Sequence, residues 1–186
     1  IESDFELGDV VIIEGSIDTG TRTGVATSVT YDEIILGPVT SKPTTTDSVE
    51  AIGQIILIRP STILQGILSV IELEEDDVIE VSGFYDANHD LVATRIERSA
   101  GTEIEAKLFV TSVNSDTQFV SSSLTINHTG PDIPQPGDYI QVEADSSNLI
   151  YPVLDGASSV TVLQPANLEQ GTEIELEGIV SDCIGP

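Results

Sequence analysis

The pentapeptide Gly-Thr-Glu-Ile-Glu stands at 101–105 and again, seventy residues on, at 171–175. A second pattern, an acidic residue opening an apolar run that ends near a small residue, occurs three times. It reads Asp9-Val10-Val11-Ile12-Ile13-Glu14-Gly15, then Asp77-Val78-Ile79-Glu80-Val81-Ser82-Gly83, then Asp138-Tyr139-Ile140-Gln141-Val142-Glu143-Ala144. Self-similarity at a fixed spacing implies copies of one small unit. The chain of 186 residues then divides into units of about 60–70 residues, each just large enough to bury a core.

The units read as strands. Glu103-Ile104-Glu105-Ala106-Lys107-Leu108 and Glu173-Ile174-Glu175-Leu176-Glu177 alternate strictly between charged and apolar residues, the period of a strand with one wet face. Turn-forming clusters such as Asp86-Ala87-Asn88 and Pro134-Gln135-Pro136-Gly137 punctuate them. No stretch keeps a helical period; 60–75 has room for one short helix. One full unit is expected to have strands at 34–41, 48–52, 54–59, 77–84 and 91–98, and the next at 103–113, 118–121, 123–126, 138–144 and 158–162. Five short strands with a longer connection after the third is the strand count of an OB-type barrel. The expected fold is all-β: tandem, small, five-stranded OB-like β-barrels with incomplete repeats at both ends. Residues 1–32 match the last two strands of an incomplete repeat, 33–100 form one barrel, and 101–164 a second with a divergent last strand. Residues 165–186 are a linker and the first strand of a further repeat. The sequence opens at Ile1, without a signal-peptide pattern, and reads as a processed product or a segment of something longer.

Charge removes several function classes. Thirty-two acidic residues against six basic ones give a net charge of −26, which repels phosphate backbones and anionic bilayers. Nucleic acid is therefore not expected as a partner. The most apolar region, 55–71, is interrupted by Arg59, Pro60 and Gln65, so no membrane insertion is expected. The hydrophobic content of 39% is too high for a disordered polyanion.

Three runs carry a family resemblance: Gly37-Pro38-Val39 ending a first strand, Asp77-Val78-Ile79-Glu80-Val81-Ser82-Gly83, and Leu91-Val92-Ala93-Thr94-Arg95-Ile96-Glu97. With them the unit resembles the bacterial domain of unknown function DUF5666. The resemblance implies a secreted, tandemly repeated, OB-like barrel from a Gram-negative bacterium, and supplies no activity. The second unit departs from the pattern after Ala144, where no Ala-Thr-Arg-Ile strand follows.

Candidate sites are sparse. Asp86, Asn88 and Asp90 have the alternate-residue oxygen spacing that begins a calcium loop, with Glu74, Glu75, Asp76 and Asp77 as further carboxylates. The loop has Leu91 where the usual sixth-position glycine would stand, although Glu97 falls at the twelfth position, and a plain hairpin turn is the competing reading. Ca²⁺ is the one possible ion these residues suggest; otherwise no cofactor is expected. His89, His128 and the single Cys183 are too scattered for a zinc site or a nucleophile–base pair. Cys183 pairs with another chain or is a spectator thiol. Asn127-His128-Thr129 is a glycosylation triplet at Asn127. Lys42 and Lys107, the only lysines, are the nucleophiles an isopeptide crosslink would need, but the sequence offers no partner motif. The aromatics Phe109, Phe119 and Tyr151 are too few to build a stacking platform on the second unit.

The expected function is that of a non-enzymatic extracellular or cell-surface structural protein, a subunit or segment of a fibre or filament. Its inter-subunit strand would be Glu173, Ile174, Glu175, Leu176, Glu177 and Val180, added to residues 1–32 of a neighbour, which makes a homo-oligomer or filament. The alternative is a periplasmic or cell-surface binding module for a glycan, a metal ion or a protein partner.

Overall fold

The computed structural model describes residues 5–18, 20–130 and 133–164. The expected inter-subunit strand (Glu173, Ile174, Glu175, Leu176, Glu177, Val180), Cys183 and the whole of 165–186 lie outside them. The described residues are all-β, apart from 3₁₀ turns at Val70–Glu72 and Ser146–Asn148.

Residues 33–98 hold β3 (Ile35–Ser41), β4 (Ser48–Ala51), β5 (Gln54–Leu57), β6 (Ile63–Gln65), β7 (Val78–Tyr85) and β8 (Leu91–Arg98). Five of these match the expected strands to within two residues at each end. The connection 60–75 holds the short β6 as well as a single 3₁₀ turn, which plugs the core with Val70 and Leu73. The pairings close a circuit: β3 with β4, β4 with β5, β5 parallel with β8, β8 with β7, and β7 back to β3. Within this circuit the first strand serves two neighbours in turn. Ile35 to Pro38 face β7, and Val39 to Ser41 face β4.

Residues 103–164 follow the same order with more interruptions. The expected strand 103–113 is split into β9 (Glu103–Phe109) and β10 (Ser112–Ser115). Here too the chain turns from one neighbour to the next: Val110 N–H donates to Asp138 O and Thr111 N–H to Val120 O. β11 (Gln118–Ser121) and β12 (Leu124–Asn127) form a hairpin, and β13 (Tyr139–Asp145) pairs with β9. The divergent last strand is two pieces, β15 (Val153–Leu154) and β16 (Ser159–Gln164), separated by Gly156 at φ +77°. β15 runs parallel to β12 while β16 pairs with β13, and β14 (Leu149–Ile150) covers the edge of β15.

Alternation sets the core. Along β9, Ile104, Ala106 and Leu108 are buried between more exposed neighbours. They join Ile35, Ile56, Ile79, Ile96, Phe119, Ile126 and Ile140 in one continuous cluster. The two circuits touch through equivalent parts. β3 pairs antiparallel with β9, Ile35 opposite Ala106, and the β4–β5 turn meets the β11–β12 turn where Ser123 Oγ donates to Gly53 O at 2.9 Å.

Candidate functional site

The acidic residue that opens each repeated run does the same work three times. Asp9, Asp77 and Asp138 each accept, on Oδ2, the backbone N–H of the residue three before them: Glu6 at 2.7 Å, Glu74 at 2.8 Å and Gln135 at 2.7 Å. Each also returns its own N–H to that residue's carbonyl. The residue just before the aspartate has positive φ in all three turns: Gly8 at +94°, Asp76 at +70° and Gly137 at +92°. A carboxylate closing a tight turn explains why an acid recurs at this spacing.

β1 (Val11–Asp18) and β2 (Thr23–Tyr31) form a hairpin after the first of these turns. Its register slips at Gly15, opposite Ala26, as the β7–β8 register slips at Gly83, opposite Ala93. At both glycines a Cβ would strike the facing strand's carbonyl, Val25 O for Gly15 and Val92 O at 2.5 Å for Gly83. Among the described residues β1 pairs with β2 alone. Ile13 and Val25 stand 62% and 70% exposed, so the hairpin presents apolar side chains and a bare strand edge.

The hairpin's base is clamped to β8. Thr94 Oγ1 donates to Gly8 O at 2.6 Å, and Arg95 Nη1 donates to Asp9 Oδ1 at 2.7 Å. Arg95 Nη2 reaches Glu97 at 2.8 Å and also contacts Glu6. The Arg95 and Asp9 side chains are only 8% and 6% exposed, a buried ion pair. Tyr31 OH meets Ser82 Oγ at 2.8 Å, and burial raises its phenol above the ordinary tyrosine range. Glu6, Asp9, Tyr31, Glu80, Arg95 and Glu97 line a cleft of about 250 Å³ here. Next to it, where β3 meets β9, Lys107 Nζ contacts Asp32 Oδ1. The Glu33 carboxyl is pushed up to about 7, first by burial and then by the charges of Glu80 and Glu105.

The Thr94–Arg95 pair belongs to the run that carries the family resemblance. Residues 37–97 match the family model of DUF5666, a domain of unknown function. The match covers 61 of 186 residues, from within β3 to within β8. No curated protein and no solved structure matches the chain. In the DUF5666 segment the first-strand glycine, Gly37, lies under Ile52 of the β4–β5 turn, whose Cγ2 would stand 2.7 Å from a Cβ. The glycine after Ser82 is the slip in register, and the Thr-Arg pair holds the preceding turn.

The sequence-derived candidates fall in other places. Asp86, Asn88 and Asp90 sit on the β7–β8 turn of the DUF5666 segment. There Asp86 Oδ1 accepts the N–H of Asn88 at 2.8 Å and of Asp90 at 3.1 Å. Those two bonds, Asp90 first, hold the Asp86 carboxyl below its ordinary range. Among the described residues no group of three acidic, histidine or cysteine side chains is disposed to hold a metal ion. Asn127 ends β12 with its amide engaged, Nδ2 donating to Asp155 at 3.0 Å and Oδ1 accepting from Gln118 at 2.8 Å. His128 follows it, half-buried. His89 stacks on Phe109, ring centroids 4.6 Å apart, and Phe109 packs against Tyr85 and Tyr139. This aromatic cluster joins the β7–β8 turn to β9 and β13. The sequence reading missed it because its members come from four separate elements. Lys42 pairs with Glu74, both more than half exposed.

Proposed function

We propose that this chain is a non-enzymatic extracellular structural protein, a subunit or segment of a surface fibre built from tandem OB-like β-barrels. The order of pairing supports the barrel reading. In each circuit the strands run first, second, third, fifth, fourth and back to the first, with the third and fifth parallel; this is a Greek-key closure that leaves few edges.

The observation that carries the fibre reading is the β1–β2 hairpin. It repeats the Asp turn and the glycine slip of a fourth and fifth strand, pairs only within itself among the described residues, and leaves Ile13 and Val25 exposed. Residues 171–175 repeat the start of β9, the strand that pairs with β13 in the second circuit. A first strand supplied by one copy to the hairpin of the next is a head-to-tail contact, and such contacts propagate into filaments. Electron microscopy of the protein isolated from its source is expected to show continuous fibres. Removing 171–186 is expected to abolish them, and normal fibres from that truncation would refute strand complementation.

The second reading, a periplasmic or cell-surface binding module for a glycan, metal ion or protein partner, is favoured by the acidic cleft between the hairpin and β8. It requires discrete particles and saturable calorimetric titration, for which Ca²⁺ at constant ionic strength is the first ligand to try.

A further inference from the structure

We propose that Lys107 and Asp32 become joined by an intramolecular isopeptide bond. The sequence names the lysine but hides the partner, which lies 75 residues away and meets it only because β3 pairs with β9. The Nζ of Lys107 contacts Oδ1 of Asp32, and the two side chains are only 12% and 17% exposed. Both backbones are held from outside the pair. Asp32 N–H donates to Val10 O at 2.9 Å, and Lys107 N–H donates to Ile34 O at 2.9 Å. Lys42, the other lysine, has an ordinary solvated ion pair with Glu74, 56% and 62% exposed.

The third group required is an acid that holds its proton near neutrality, and the residue next to Asp32 supplies it. Glu33 feels the charge of Glu105, which stands two residues from Lys107 on the same face of β9. Burial and the neighbouring carboxylates keep it protonated to about pH 7, with Lys107 opposing them.

The step balances without an oxidant or a metal. The Lys107 ammonium passes a proton to the Asp32 carboxylate, giving a free amine and a carboxylic acid. The amine nitrogen attacks Asp32 Cγ and the C–N bond forms. The Cγ–OH bond breaks as the leaving hydroxyl takes a proton from Glu33 and departs as water. The proton shed by the nitrogen returns to Glu33. One positive and one negative charge are lost, with one water. Condensation is unfavourable between free side chains in water, but fixed neighbours have effective molarities of about 10⁵–10⁸ M. The bond would fasten the base of the β1–β2 hairpin and the start of β3 to β9, whether or not the subunits polymerise.

Intact-mass spectrometry of the folded full-length chain, after incubation at neutral pH, tests this. The expected mass is below the sequence mass by one water, and digestion is expected to yield a branched peptide joining the Asp32 and Lys107 segments. Lys107→Arg, which keeps the charge and the fold, is expected to show the full sequence mass, while Lys42→Arg still loses water. Full mass and separate peptides from the folded wild-type chain would overturn the proposal. So would water loss that persists in Lys107→Arg, which would place the dehydration elsewhere. Glu33→Gln is expected to stop or markedly slow the loss, and a wild-type rate in that variant would overturn the proton relay.

Discussion

At the scale of single residues, three Asp turns set up an internal comparison. Two have glycine at the positive-φ position, and the third has Asp76 at +70°. An L-residue there costs about 1–2 kcal/mol, partly returned because glycine loses more entropy on folding. Asp76 is also exposed among like charges. Asp76→Gly is therefore expected to stabilise the fold by about 0.5 kcal/mol, read as a higher denaturation midpoint. Gly83→Ala should do the opposite, by about 1–3 kcal/mol, because the added methyl meets Val92 O at 2.5 Å. Glu33 gives a pH dependence. Its native carboxyl is raised to about 7 from the ordinary glutamate value of 4.5. Between those values the native state binds more protons than the unfolded chain, so stability falls as pH rises through that window. Melting curves of Lys107→Arg from pH 4 to 8 should show this fall, and Glu33→Gln added to that background should flatten it.

At the scale of elements, the hairpin is the piece whose attachment is least shared. An isolated two-stranded hairpin is marginal in water, and this one leans on Thr94, Arg95 and Ser82 at its base. Removing one member of a buried ion pair costs about 3–5 kcal/mol. Arg95→Leu leaves the buried Asp9 carboxylate without its cation and is expected to release the hairpin while both circuits stay folded. Hydrogen exchange should then quicken over 11–31 and stay slow in β7, β9 and β13; uniform protection would refute the clamp. The proposed strand exchange also has a register. Val142 stands opposite Ala106 in the β13–β9 pair. Carrying this over by the Asp turn and the repeated pentapeptide puts Ile13 opposite Leu176. With Cys183 replaced by Ser, Ile13→Cys and Leu176→Cys are expected to give ladders of disulfide-linked chains. Linked monomers would mean instead that the segment folds back on its own hairpin.

At the scale of the whole molecule, charge dominates. Of the six cations, Lys42, Arg95, Arg98 and Lys107 are each in ion pairs, and they neutralise only a small part of the thirty-two acids. The remaining self-repulsion acts against the compact state and is screened by salt within a Debye length of about 10 Å at 0.1 M. The melting temperature is therefore expected to rise with sodium chloride. A rise with calcium well beyond that at matched ionic strength would mark specific sites, and a flat response would refute the self-repulsion argument.

Most strands and the turns between them were legible in the sequence because each is encoded locally. Period-two alternation, β-branched runs and Asp/Gly turn chemistry act over a few residues, so 34–41, 77–84 and 91–98 fall on observed strands. The split of 103–113 was not legible, since it depends on a change of partner from β13 to β11. The hairpin's relation to β7 and β8 was also visible, because a slip at Gly15 and at Gly83 needs the same small residue. The candidate site was mostly hidden. Arg95 meets Asp9 across 86 residues and Lys107 meets Asp32 across 75. A charge that seeks a partner through space leaves no mark in its own neighbourhood. Sequence alone determined where the main strands run, though not β6, β14 or the break in 103–113, because that choice is made largely by local backbone and side-chain preference. The tertiary structure decided which acid each cation meets, because strand pairing brings together residues that the chain keeps far apart.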